Sequence, residues 1–594
     1  MTVSAAVSRA KTYINSHDAG TKIWVFPGMY RESWPNQPGL SLTGDNAPLI
    51  IEGTNGAANE IVLSGSDVMT NGWGIYDGDI YSNYWQYNWG VQTQQQSHGN
   101  TGLSARREMV FVNGTLFLQK DDVSSLTPGT FCVDEDADRI YMYPPDNTVL
   151  PDVLIENAVR PRLVRFQESA NIVVRNLTVQ HFNLPIWYDY YSGMPDYYYA
   201  GWGRAVLFNS CSNILVDSCR VVWNNAGGLS FGKYNYGVHS SCITVTNCVL
   251  NFNGHNGLAA GHMTDVLIVD TEASYNNWRG ALAGYFGWSS GGLRINLLHR
   301  ARMTRSRAYH NACPGIWLDS DIKETVVEQA DARNNLSCGI FIEKTPGPCT
   351  FSDSTCIGNY RGILGADSEN VRIENNVARC NGKGPVTFQK NWDPGYPYTD
   401  FETGVNGTSR LERWTVSTNI FIGCSAGQVL FNSCGGFDWT THLWNTNITT
   451  LVATSNTWWN PQNDDVFDVL NCVRTDFAGW QATQGRDGEY LGTASRFADP
   501  GITNQVEEGR VTWRYYNNFS GATIDAFESQ PGYPTNFSCG VNARVAQSVR
   551  GYDDDYGARM TALLSPPVSG TYRFWLAGAD AAVLRISDDA SPTH

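Results

Sequence analysis

The sequence predicts an all-β fold, a parallel β-helix solenoid, from three observations. A turn glycine recurs at Gly228, Gly257, Gly280, Gly315, Gly339, Gly362 and Gly384, mostly 22 to 24 residues apart, with two longer intervals of 29 and 35. Asparagines lead into these turns at Asn224-Asn225, Asn253, Asn276-Asn277, Asn334-Asn335 and Asn359. Short β-branched runs precede them, among them Ile214–Val216, Ile243–Val245, Val266–Val269 and Val371–Ile373. A fixed period marks a repeat architecture whose rungs bury a continuous core by stacking. Strands this short, with Gly and Asn where left-handed backbone is needed, are rungs of a β-helix. Stacked turn asparagines are expected to form side-chain ladders. A leucine-rich repeat is disfavoured because its helical half is absent. An ordinary sandwich does not hold one register over seven turns.

In chain order, residues 1–70 give a cap and the first rungs. Met1–Arg9 lacks the apolar core of a signal peptide. It reads as an amphipathic cap helix running into Lys22–Arg31, then the rungs Leu49–Glu52 and Ile61–Gly65. Residues 71–157 break the period, and Glu108–Leu118 and Thr130–Tyr143 read as hairpins of a small inserted β-sandwich. Rungs resume over 158–500 and loosen from Asp476. Residues 508–594 form a separate last region.

Composition narrows the partners. A net charge of −16 argues against nucleic acid and anionic membrane, and mildly against a polyanionic substrate such as pectate. Twenty Trp and 29 Tyr exceed what a solenoid core needs, and exposed rings stack on sugar faces. The cluster within Trp187–Trp202 is hard to bury entirely. The expected partner is therefore a polysaccharide or oligosaccharide. Fourteen Cys are sparse at this length, and no Cys-x-x-Cys pair suggests zinc. Cys219/Cys242, Cys313/Cys338 and Cys356/Cys380 lie about one rung apart and read as stacked core residues. Asp134–Asp138 lacks the Gly and distal Glu of a calcium loop, so no metal or cofactor is expected. No apolar stretch is long enough to span a bilayer. The expected location is extracellular or periplasmic, with a leader trimmed from this start.

The chemistry concentrates in two strings, Gly315–Asp319 and Gly339–Lys344. Asp319 and Glu343 are 24 residues apart, one repeat. That puts them on neighbouring rungs of one face, about 4.8 Å apart along the stack. A retaining glycosidase needs two carboxyls about 5 Å apart. Their proximity raises one pKa, and the protonated member becomes the acid. Asp321, two residues on, is expected to point the same way as Asp319. There it could orient a hydroxyl, raise the acid's pKa or replace Asp319 as nucleophile. Lys344 is expected on the opposite face. For a subsite, His262 and Arg279 read as hydroxyl binders, with Asn277 beside them. Trp278 or Trp288 reads as a stacking platform, and Trp317 as a wall sharing the face of Asp319. His255 and His310 lie in turns and read as structural hydrogen-bonders.

Gly315–Asp319, Phe341–Glu343 and Gly347-Pro348 resemble strings of right-handed parallel β-helix glycoside hydrolases, nearest to glycoside hydrolase family 120, the β-xylosidases. The resemblance covers about residues 200 to 365. It implies Asp319 as nucleophile, Glu343 as general acid/base, and xylan or xylo-oligosaccharide as substrate. Family 141 is similar in its inserted sandwich and rungs, with other sugars as substrates. Tyr515–Gly521 and Asp555–Ala577, with the string Pro566–Trp575, resemble part of a PA14 domain, a β-sandwich often attached to secreted glycosidases. Sugar-binding members carry an Asp-Asp pair where this chain has Gly578-Ala579-Asp580, so a calcium-dependent lectin role is not implied. Two other classes stay open: a lyase or epimerase on uronates, for which only Arg279, Arg294 or Lys344 could neutralise the carboxylate, and a non-catalytic carbohydrate-binding solenoid.

Overall fold

The computed structural model describes residues 2–17, 19–33, 48–54, 60–91, 102–145, 153–188, 201–232, 239–282, 289–392, 395–436, 450–469, 473–483, 491–502, 511–517, 521–531, 539–543 and 555–562, with short pieces between and after them. Two compact units divide the chain. One comprises Met1–Asp331, Glu343–Thr350 and Pro397–Thr408; the other comprises Ala332–Ile342, Phe351–Tyr396 and Ser409–His594.

The first unit opens with a helix, Val3–His17, whose buried Val3, Val7, Ala10 and Ile14 recur at helical spacing and form its inner stripe. Parallel rungs follow. Thr21–Val25 pairs with Leu49–Gly53, which pairs with Ala170–Arg175, then Ser212–Asp217 and Ser240–Thr246. A second stack runs through Gly28–Arg31, Ile61–Ser64, Thr178–Gln180 and Arg220–Val222. A third runs through Val164–Gln167, Arg204–Asn209 and Gly227–Gly232. Two of these stacks then merge: the long strand β1 (Leu258–Val269) pairs with both Gly227–Gly232 and Ser240–Thr246. Strands β2 (Leu293–Thr304) and β3 (Ile316–Glu328) continue it, the first in unbroken register and the second with one shift. Left-handed residues bend each long strand: His262 and Asp265, Leu297 and Arg300, then Ser320, Asp321 and Glu324.

The turns are held as their composition predicts. The Asn224 backbone N–H and side-chain amide both donate to Asn253 Oδ1, Asn253 does the same to Asn276, and Asn276 to Asn311. All four are buried, so each rung satisfies the next rung's buried polar groups. The cysteines stack differently from the expectation. Cys219 and Cys248 are buried on successive rungs, whereas Cys242 is exposed in a left-handed bend. One intervening insertion makes that rung 29 residues, which moves the stack off the 23-residue spacing.

Residues between Ser66 and Ala158 build an eight-stranded, mainly antiparallel sheet around Trp85, Val110, Phe131, Ile140, Met142 and Ile155. Trp187 pairs with Trp202 across a two-stranded ribbon; the aromatics between them, 189–200, lie outside the described residues.

The second unit carries further parallel rungs, with ladders Asn335–Asn359–Asn381 and Asn376–Asn419–Asn456. Trp458, Phe467 and Trp480 pack together near its last rungs. Cys380 is disulfide-bonded to Cys424, while Cys356 sits opposite Ala378, so Cys356 and Cys380 are not a stacked pair. A three-stranded antiparallel sheet, Cys539–Ala543, Val511–Asn517 and Tyr556–Ala562, packs Tyr515 against Leu336 and Tyr360. Most of the string Pro566–Trp575, and Gly578-Ala579-Asp580, lie outside the described residues. Among the described residues no helix is long and apolar enough to cross a membrane.

Candidate active site

The site is built where β2 meets β3. Leu293 pairs with Ile316 and Ile295 with Leu318, all four fully buried in the core. Alternation turns the other rows outward: Arg294 opposite Trp317, and Asn296 opposite Asp319. Beyond Asp319 the register slips, so that Leu297 faces two residues, Ser320 and Asp321. Both are left-handed, with φ of 57° and 47°. This is a β-bulge, a device that re-aims side chains. Asp319 is 7% exposed. Arg294 Nη2 donates to its Oδ2 at 2.7 Å and the Ser320 hydroxyl to its Oδ1 at 2.8 Å. The guanidinium of Arg294 lies over the Trp317 ring, 5.2 Å from its centre.

Glu343 is 9% exposed. Burial first, and the negative charge of Asp319 second, push its carboxyl up to about 7, against the opposing pull of Lys344 and Arg294. Lys344 Nζ lies 3.0 Å from Glu343 Oε1. That corrects the expected opposite face: Lys344 is left-handed, with φ of 52°, and the strand alternation fails at that residue.

Asp321 does not share the setting of Asp319. Fully buried, it accepts the Phe401 backbone N–H at 2.9 Å, and its other oxygen lies 3.3 Å from both His299 Nε2 and Lys323 Nζ. The bulge explains the departure, because two consecutive left-handed residues cancel the alternation that would have aligned Asp321 with Asp319. Lys323 is also bonded to Asp400, and His299 Nδ1 to Glu402 at 2.5 Å. Arg300 holds Glu402 at 2.9 and 2.8 Å and Asp265 at 2.9 Å. Burial opposes the charged form of His299, but Asp321 and Glu402 outweigh it and hold the imidazole above its ordinary value. Arg300, and then His299, draw Glu402 down to about 2. His299, Asp321 and Asp400 each bring one ligand atom within 4.8 Å of the others, a grouping absent from the sequence-based expectation. Lys323 already neutralises the two carboxylates there.

The remaining residues divide. Arg279 is fully buried and donates to Asn225 Oδ1 and Gln119 Oε1, both at 2.7 Å, and to the Glu108 carbonyl. It ties the solenoid to the inserted sheet, which corrects its reading as a hydroxyl binder. Trp278 donates from Nε1 to the Phe252 carbonyl and packs by Met109 and Phe111, so it is no open platform. Asn277 is buried and donates to the Ala312 carbonyl, again in place of a sugar. His262 is half-buried with its ring 5.7 Å from that of Phe401. Trp317 is 4% exposed beneath Arg294. Trp288 lies outside the described residues. His255 is buried and bonded to Asn256, and His310 stacks on Tyr275.

Sequence reasoning passed over Ser320, His299, Lys323 and the segment Asp400–Glu402, and weighed Arg294 only as a cation that would neutralise a uronate carboxylate in another reaction. Arg294 carries a signal, since it lies 25 residues before Asp319, close to one rung. The segment does not, because it reaches Asp321 across 80 residues.

Residues 204–378 match a family model described as a right handed beta helix region. No curated protein matches the chain. Among solved structures, one titled "The complex structure of XylC with xylose" aligns at a TM-score of 0.57 and 14% identity, covering 86% of this chain and 85% of the other. The A-module of the mannuronan C-5 epimerase AlgE6 from Azotobacter vinelandii aligns at a TM-score of 0.43 and 13% identity, covering 84% of this chain and 96% of the other. The protein is thus an all-β chain built on a right-handed parallel β-helix.

Proposed function

We propose that the chain is a retaining glycoside hydrolase acting on plant-type polysaccharide or oligosaccharide, with xylan or xylo-oligosaccharide favoured. The observation that carries this reading is the asymmetry of the acidic pair. Both carboxyls are buried on the same part of the solenoid, yet Asp319 is matched by Arg294 and Ser320, whereas Glu343 is pushed up to about 7. One group is thereby suited to attack and the other to give up a proton near neutral pH.

In the first step Asp319 forms a bond to the anomeric carbon as the glycosidic bond breaks, and Glu343 gives its proton to the departing oxygen. In the second, the Glu343 carboxylate takes a proton from water as that water attacks the glycosyl ester, releasing Asp319. Arg294 would hold the carboxylate of Asp319 in place between turnovers. The resemblance of Gly315–Asp319 and Phe341–Glu343 to family 120 strings supports the same roles. So does the shared fold with XylC, whose structure contains xylose. Residues 508–594 are read as a partial PA14-like appendage, and the site of action as extracellular or periplasmic.

The test is release of reducing sugar from aryl glycosides and a panel of plant polysaccharides by the parent, Asp319→Asn and Glu343→Gln. Activity lost in both variants supports the pair; activity surviving both sinks it and redirects attention to Asp321. A second reading draws on Arg294 and Lys344, the two cations beside the acids, which a lyase or epimerase would use against a uronate carboxylate. An unsaturated, ultraviolet-absorbing product would decide for the lyase.

A further inference from the structure

Asn296 lies one rung before Asp319 on the same outward row. It is half-buried, and among the described residues its side-chain amide has no hydrogen-bond partner. An amide offers two donors and an acceptor, which at this half-exposed position are open to water or to a ligand's hydroxyls. The row continues from Asn296 to Gly261, then to Gly232 and Asn209. Neither glycine has the left-handed φ that would demand glycine. At Gly261 a Cβ would stand 2.3 Å from Asn296 Oδ1, so the missing side chain leaves room for that amide. At Gly232 a Cβ would meet only Asn209 Oδ1 at 3.3 Å and the Gly261 carbonyl at 4.0 Å. Among the described residues only the end of the Asn209 side chain would have to give way there. Close to the row in sequence lie His262 and His299, and the half-buried ring of Phe401 stands 5.1, 5.7 and 4.3 Å from those of His239, His262 and His299. Asp400 and Glu402, the residues flanking Phe401, are bonded to Lys323, His299 and Arg300.

We propose that the saccharide chain extends from Asp319 over Asn296, Gly261 and Gly232. In this binding mode Asn296 hydrogen-bonds the ring next to the one attacked, and Phe401 walls that ring's flank. The direction rests on the glycosidase reading above. Glu343, on the rung after Asp319, protonates the departing oxygen, so the leaving group lies on its side. The rungs before Asp319 then take the non-reducing side of the substrate. The substrate class is an oligosaccharide or polymer with at least two rings on that side, and a single terminal sugar would use only part of the site.

The experiment compares kcat/KM for xylotetraose with kcat/KM for 4-nitrophenyl β-xyloside in the parent, Asn296→Ala and Gly232→Leu. Reading the ratio within one preparation removes any loss of folded protein. Loss of one hydrogen-bonding or packing contact is expected to lower that ratio about tenfold in each variant. An unchanged ratio in both variants, with an active parent, overturns the subsite alone. A parent silent on both substrates overturns the xylosidase reading, and this binding mode with it.

Discussion

Replacing Lys344 by Met tests the acid role of Glu343 directly. The Lys344 ammonium, 3.0 Å from the carboxyl, favours the ionised form of Glu343. Removing it should therefore raise the carboxyl's pKa above its present value of about 7. A hydrogen bond to a charged group contributes about 1.5–3 kcal/mol. The Lys344 side chain is 19% exposed, so solvent screening favours the lower end of that range. At about 1.4 kcal/mol per pKa unit, the shift is about one unit. If Glu343 must be protonated to act, the alkaline limb of kcat/KM follows it upward by about one pH unit. The assay is kcat/KM for an aryl β-xyloside from about pH 5 to about pH 9, with Lys344→Arg as the charge-retaining control. An alkaline limb that stays put would refute the reasoning. Movement of the acid limb instead would mean that Glu343 acts ionised, and the roles of the pair would have to be exchanged.

Asp319→Asn and Glu343→Gln should each lower kcat on aryl glycosides by a factor of about 10² to 10⁴, measured by steady-state release of the aryl group. Glu343 also ties stability to pH. Its folded pKa of about 7 lies above the ordinary 4.5, so between those values the folded state holds the extra proton. Stability is then highest below the lower value and falls as pH rises through the upper one, by no more than about 3 kcal/mol. Urea midpoints of the parent should decline over that window, and those of Glu343→Gln should decline less. Arg279→Met strands Gln119, Asn225 and the Glu108 carbonyl, which are among its buried partners. That change should cost about 3 kcal/mol, seen as a lower thermal midpoint, while the rate per folded molecule is kept. Asn253→Ala removes the middle of a buried ladder, where its oxygen accepts from Asn224 and its amide donates to Asn276 and the Val221 carbonyl. A loss of about 2 kcal/mol is expected from denaturant curves.

The solenoid was legible because one physical requirement repeats: each buried turn needs a polar partner from the next rung, and the partner is nearly always Asn. The adjacency expected of the acidic pair has a related origin, since 24 residues is about one rung; their strands are neighbours in the stack, and the charge of Asp319 acts on Glu343. What failed was inference about direction and depth within a rung. Asp321 and Lys344 were assigned faces by alternation, which holds only while the backbone stays extended; both are left-handed. Arg279, Trp278 and Asn277 were assigned to a sugar because they lie on the rungs just before the acidic pair. Their partners are set by the inserted sheet and neighbouring turns, in one case across 171 residues, a distance no local pattern encodes.

The bulge at Ser320-Asp321 gives the two neighbouring aspartates different surroundings. A regular parallel stack would place Asp319 and Asp321 in the same field, and two carboxylates beside Glu343 would repel one another and share protons. Inserting one residue opposite Leu297 turns Asp321 toward His299, Lys323 and the Phe401 amide, where its charge is matched. It also turns the Ser320 hydroxyl onto Asp319. Asp319 is then the acid placed beside Glu343, held by Arg294 from the preceding rung. Repeat spacing brings the two acids onto neighbouring strands, and the local break in the repeat supplies the difference between their surroundings.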